Sequence, residues 1–76
     1  MIKELDRVVL TAPVPEEGWE CGDVGTVVHA YSDGQAYEVE FVSLEGETVA
    51  VATVEASQVR PVSPREITHA REMTAR

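Results

Sequence analysis

Tyr37-Glu38-Val39-Glu40-Phe41 alternates apolar and acidic side chains without a break. Successive strand residues point to opposite faces, so this segment buries Tyr37, Val39 and Phe41 on one side and holds Glu38 and Glu40 in water on the other. Nine residues before Tyr37, the run Gly22-Asp23-Val24-Gly25-Thr26-Val27-Val28 comes to its end. It combines a glycine-punctuated turn with a β-branched strand. Its glycines suit a positive φ at a tight turn, or a bulge where the chain enters a strand.

Length limits what can surround these two strands. The chain has 76 residues, enough for one domain with a modest core. Many small domains add disulfides or a metal. A single cysteine, Cys21, excludes an internal disulfide, and no Cys/His cluster offers a zinc site. No cofactor or metal is expected, and stability must come from the apolar core, with self-association or a partner as possible support. A lone thiol suits a reducing compartment. Met1 to Arg7 lacks the apolar core of a signal peptide, and no apolar run approaches the ~20 residues that cross a membrane. A cytoplasmic location with no membrane contact is expected.

Further strands flank the first two. Asp6 to Thr11 is β-branched and stops at Pro13 and Pro15. Residues 12–23 form a long loop, a length that in a small domain points to function. A second strand covers Gly25 to Ser32, a third Ala36 to Ser43 and a fourth Thr48 to Glu55, joined by turns at Asp33-Gly34 and Glu45-Gly46. In the fourth strand both faces are largely apolar, and Val49 and Val51 are the preferred inward pair. Ala56 to Val59 reads as a 3₁₀ turn, and Arg60-Pro61-Val62 as a short closing strand that Pro61 confines to an edge. The fold class is all-β, a small SH3-like five-stranded barrel over residues 1–62 with a short helical tail over 63–76. Ser63-Pro64-Arg65-Glu66 carries the helix start, a capping box with proline at the first helical position. Ile67, Ala70 and Met73/Thr74 follow as one weak apolar stripe on a helix too short to be stable alone.

No residue set points to catalysis. His29 and His69 lack a serine or cysteine nucleophile in a known motif. Cys21 sits beside Glu20 and Asp23, and neighbouring carboxylates disfavour the thiolate. Glu38 and Glu40 form a carboxylate pair of the kind used in glycoside hydrolysis or metal binding, but their alternation fits a solvated sheet face better. Gly22-Asp23-Val24-Gly25 lacks the lysine and the following helix of a phosphate loop. Trp19, the only tryptophan, has two readings: an aromatic anchor on a recognition loop, or a lid folded back on the barrel end.

Charge separates the remaining function classes. The net charge is -8, and residues 1–62 hold three Lys and Arg against twelve Asp and Glu. Such a body repels phosphate backbones, attracts basic partners and stays soluble.

Leu5-Asp6-Arg7-Val8-Val9-Leu10, Gly22-Asp23-Val24-Gly25-Thr26-Val27-Val28, Tyr37-Glu38-Val39-Glu40-Phe41 and Val59-Arg60-Pro61 together resemble a short bacterial family. It is catalogued as a domain of unknown function, number four-nine-two-six. The resemblance spans most of residues 4–62. It implies a single-domain protein similar in fold pattern to KOW and nitrile hydratase β-subunit SH3-like barrels, encoded beside toxin-like neighbours. It carries no catalytic residues to transfer. The Gly-Asp-x-Gly-Thr-Val element also resembles the KOW motif, which elsewhere sits in basic chains.

The expected function is a non-enzymatic acidic interaction module that binds a basic protein, in the manner of an antitoxin or immunity protein. The contact residues expected are Trp19, Glu16, Glu17, Glu20, Glu38 and Glu40. The alternatives are a KOW-like nucleic-acid accessory domain, which the charge disfavours, and a structural or chaperone-like subunit of a nitrile hydratase-type enzyme. Homo-oligomers through exposed strand edges or an exchanged tail remain open.

Overall fold

The alternating segment forms the middle of a meander. In the computed structural model, which describes residues 2–72, it lies in β3 (Ala36–Val42), between β2 (Val24–Ala30) and β4 (Thr48–Glu55). β1 (Arg7–Leu10) and β5 (Val59–Pro61) complete one antiparallel sheet in the order β4-β3-β2-β1-β5. Short 3₁₀ turns cover Pro15–Glu17 and Ala56–Gln58. Tyr37, Val39 and Phe41 are buried with Val8, Leu10 and Val27, while Glu38 and Glu40 occupy the outer face.

Both hairpins follow their turn residues. The β2–β3 loop closes with Tyr31 N–H on the Ala36 carbonyl, and Gly34 supplies a φ of 72°. The β3–β4 loop closes with Ser43 N–H on the Glu47 carbonyl, leaving Leu44, Glu45 and Gly46 as a three-residue turn whose last member is left-handed. Bulges at Val28 and Val49 interrupt the flanking strands. An extra residue reverses which side chains face inward beyond it and increases the local twist.

The inward face of β4 is the reverse of the one expected. Val49 and Val51 are 44% and 49% exposed, whereas Ala52 and Val54 are 2% and 1% exposed. Cross-strand partners share a face, and the register pairs Tyr37 with Val54, Val39 with Ala52 and Phe41 with Ala50. Apolar residues fill both faces of β4, so alternation alone could not choose. Packing chooses the alanines, which sit opposite the bulkier Val39 and Phe41.

Closure into a barrel is not found. β4 and β5 remain the two edges of the sheet. β5 has three residues and includes Pro61, so its second side cannot sustain a ladder.

The tail also departs from expectation. Residues 63–72 contain no helix, and Met73 and Thr74 of the apolar stripe lie outside the described residues. The capping interactions nevertheless form: Ser63 N–H donates to Glu66 Oε1 at 2.6 Å, and Arg65 N–H to Ser63 Oγ at 3.2 Å. Arg60 takes the same carboxylate in a two-pronged pair at 2.9 and 2.6 Å. The Arg60 bonds, with help from the Ser63 amide, pull the Glu66 carboxyl down to about 2. Ile67 is 93% exposed, so no apolar burial drives the turn to continue as a helix.

Gly25 serves a different need from the positive φ expected of the glycine pair. Gly22 has that backbone, with φ at 99°. At Gly25 an added Cβ would strike Val39 Cγ1 and lie 2.8 Å from the Glu40 carbonyl oxygen. Only a residue without a side chain lets β2 pass this close to β3. Gly25→Ala should therefore lower unfolding stability by roughly 1–3 kcal/mol, the usual cost of overpacking. Urea titration followed by Trp19 fluorescence measures it, and a variant as stable as the wild type would contradict the close approach.

Candidate interaction surface

The long loop is organised by Trp19. Val14 and Trp19 exchange backbone hydrogen bonds at 2.9 and 3.2 Å, and Gly18 turns the chain between them with φ at 82°. The indole then lies on Phe41, ring centroids 4.0 Å apart and planes 20° from parallel. Trp19 is 5% exposed, so of its two readings the structure gives the lid over the core. Its side chain is withdrawn from the contact surface on which it was expected. The indole Nε1 is buried with no acceptor among the described residues, a local cost offset by the stack.

Glu16 and Glu20 remain on the exposed side of this loop, and Glu17 is half-buried. The structure does not unite them with Glu38 and Glu40. Trp19 packs on the inner side of β3, whereas those two glutamates stand on its outer side. Two acidic regions result, with different surroundings.

A cation from the tail offsets the charge of the loop region. Arg71 Nε donates to Asp23 Oδ1 at 2.8 Å, and Nη2 donates to Asp23 Oδ2 at 2.6 Å and to the Gly18 carbonyl at 3.1 Å. Glu20 lies 3.8 Å from the same guanidinium. Burial works to raise the Asp23 carboxyl, but the Arg71 hydrogen bonds, the Glu20 amide and the Arg71 charge outweigh it and hold it below its ordinary value. No local pattern pointed to Arg71, because its partners lie 48 and 53 residues earlier in the chain.

On the outer face of the sheet no guanidinium contacts the carboxylates among the described residues; His29 stands opposite Glu38, and its charge adds to the effect of the hydroxyl donors there. Tyr31 Oη donates to Glu38 Oε2 at 2.5 Å, Thr53 Oγ1 donates to the same oxygen at 2.9 Å, and Thr48 Oγ1 donates to Glu40 Oε2 at 2.5 Å. The bonds from Tyr31 and Thr53 hold the Glu38 carboxyl below its ordinary value, and the bond to Glu38 raises the Tyr31 phenol. The threonines could have been found in the sequence only once the β3–β4 register was known, since Thr53 stands opposite Glu38. Exposed Val28, Val42, Val49 and Val51 share this side of the hairpins. The result is a mixed apolar and anionic sheet face with oriented carboxylates.

His29 approaches Glu4 at 3.7 Å and meets Tyr31 edge-on. Cys21 is exposed. No cluster of three or more His, Cys, Asp or Glu able to hold a metal occurs among the described residues. No helix there is long and apolar enough to cross a membrane.

These features define a small all-β domain: one antiparallel sheet, a loop lid and an acidic outer face. The chain belongs to the family described as Domain of unknown function (DUF4926), whose profile matches residues 4–61. No curated protein and no solved structure matches the chain.

Because Asp23 is held below its ordinary value, its contribution to stability is full above the unfolded-state value. It is lost as the pH falls through the folded-state value. Arg71→Ala should cost about 1–2 kcal/mol at neutral pH. The difference from wild type should shrink once acid protonates Asp23. Urea unfolding across pH measures both, and an equal difference at all pH values would contradict the pairing.

Proposed function

We propose that this chain is a non-enzymatic acidic module that binds a basic protein, and that in the cell it neutralises that partner as an antitoxin or immunity protein does. The observation that carries this reading is the distribution of charge. No Lys or Arg occurs between Arg7 and Arg60, and twelve of the fourteen carboxylates lie at or before Glu55. Among the described residues Arg60 pairs with Glu66 and Arg71 with Asp23, while Arg65 stands exposed in the tail. The outer face of β3 and β4 keeps its negative charge, and its exposed valines add apolar area that a partner can cover.

Glu38 and Glu40 are the main contacts in this reading, with Glu16, Glu17 and Glu20 as a second contact across the domain. Hydroxyl donors orient the sheet carboxylates before any partner arrives, which lowers the ordering cost of binding. An anionic field of this kind raises association rates with cationic proteins and loses strength with salt. It works against a nucleic-acid role, because phosphate backbones require clustered Lys and Arg.

The test is capture of partners from the source organism at low and moderate salt, followed by calorimetry with the purified partner. A basic protein should be recovered, and its affinity should fall as salt rises. Glu38→Gln with Glu40→Gln should weaken binding by about tenfold or more. Recovery of no protein partner at either salt concentration would refute the proposal.

A further inference from the structure

The two edges of the sheet are built differently. At the β5 edge, Thr11 N–H bonds the Gln58 carbonyl and Val62 N–H bonds the Arg7 carbonyl. These bonds bracket Val9 and Arg60 as the hydrogen-bonded pair, so Val59 and Pro61 direct their backbone groups outward. Pro61 has no N–H, and this edge is blunted.

At the other edge, Ala56 N–H bonds the Gln35 carbonyl at 2.9 Å. That bond makes Ala36 and Glu55 a non-hydrogen-bonded pair, and alternation gives the β3 bonds to Val54 and Ala52. Val51, Thr53 and Glu55 therefore turn both backbone groups away from β3, toward the open side. Among the described residues β4 pairs with β3 alone. It is eight residues long, and Thr48 to Val54 contains no charge, proline or glycine. Apart from the bulge at Val49, the usual protections of a free edge are missing from the strand.

We infer that β4 is a strand-addition site, along which an extended cationic segment of a partner protein pairs as the next strand of the sheet. This rests on the reading of the chain as a binder of basic proteins and specifies how the partner is held. Charge selects the occupant. Residues 31–58 contain Asp33, Glu38, Glu40, Glu45, Glu47 and Glu55 and no Lys, Arg or His. A strand that alternates Lys or Arg with β-branched residues makes main-chain bonds to Val51 and Thr53. It lays long cationic side chains over Val51 toward Glu38 and Glu40. Glu47 and Glu55 bracket the two ends of β4. A second copy of this chain is a worse occupant. Pairing about Val51 would oppose Glu47 and Glu55 of the two copies at both ends, and like charges directly opposite destabilise a sheet.

The probe is a synthetic peptide alternating lysine with valine and threonine. It is compared with the same peptide N-methylated at every second residue, which keeps the charge and removes the donors on one edge. The unmethylated peptide should bind the full chain at low salt, slow hydrogen exchange at the Val51 and Thr53 amides, and bind about tenfold more tightly than the methylated peptides of either phase. Val51→Pro, which removes an outward N–H, should reduce binding to the level of the methylated peptide with the sheet intact by circular dichroism. The methylated peptides do not depend on how that variant folds. Equal binding of all peptides, without protection of Val51 and Thr53, would overturn strand addition while leaving an acidic binder of cations. No binding of any peptide at millimolar concentration would overturn both. A dimer that persists in high salt and dissociates in Val51→Pro would make a second copy the occupant and overturn the cationic one.

Discussion

The stack of Trp19 on Phe41 joins the long loop to the central strand, and other contacts are arranged around it. Phe41 also lies against Gly25, where β2 approaches β3 too closely for a side chain. Opposite Phe41, Ala50 leaves room on β4. A large aromatic pair therefore occupies the centre, with the smallest residues placed where the neighbouring strands must come near. A domain of this size has little other apolar material, and the ring stack adds to plain area burial. Loss of either ring would release the loop lid and expose the inner face of β3 together.

Electrostatics divides the molecule along a different line. Two arginines beyond β4 fold back on carboxylates of the domain: Arg60 holds the turn after β5, and Arg71 ties the tail to the loop. These pairs fix chain segments that have no apolar anchor, as the exposure of Ile67 shows. The β3–β4 hairpin receives no arginine of this kind among the described residues, and only His29, opposite Glu38, brings positive charge near it. Its carboxylates are held by hydroxyl groups, which orient them without neutralising them. The same chain thus carries an acidic loop tied to an arginine and an acidic sheet face held by hydroxyl donors.

Much of this was legible in the residues. Strict alternation in Tyr37 to Phe41 assigned the two faces of β3, because only one register of that strand buries its aromatics. Asp33-Gly34 and Gly46 marked the hairpins, and Pro61 marked an edge strand. The face of β4 was not legible, since Val49, Val51 and Val54 are equally apolar and the choice depends on what stands opposite. The helix expected after Ser63 had a valid start signal and no buried stripe to extend it. Arg71 and the role of Gly25 depend on contacts distant in sequence, which no local pattern encodes. In the candidate site, the glutamates were visible as acidic residues, while their separation onto opposite sides of β3 required the path of the loop.

Acidity also accounts for how an unprotected edge can persist. Natural sheets usually guard a free edge with a charge or proline within the strand itself. β4 has neither between Thr48 and Val54, and its outward valines would favour pairing with another copy. The guard lies beside the strand, in Glu38 and Glu40 on β3 and in Glu47 and Glu55 at its ends. Carboxylates placed there repel an identical edge while leaving the backbone groups of Val51 and Thr53 open. A cationic strand reverses the sign of that interaction. It would also stabilise the domain by mass action, because only the folded sheet presents the edge. One charge distribution can therefore oppose self-association, admit a partner of opposite sign, and link that partner's binding to the folding of a small domain without disulfides.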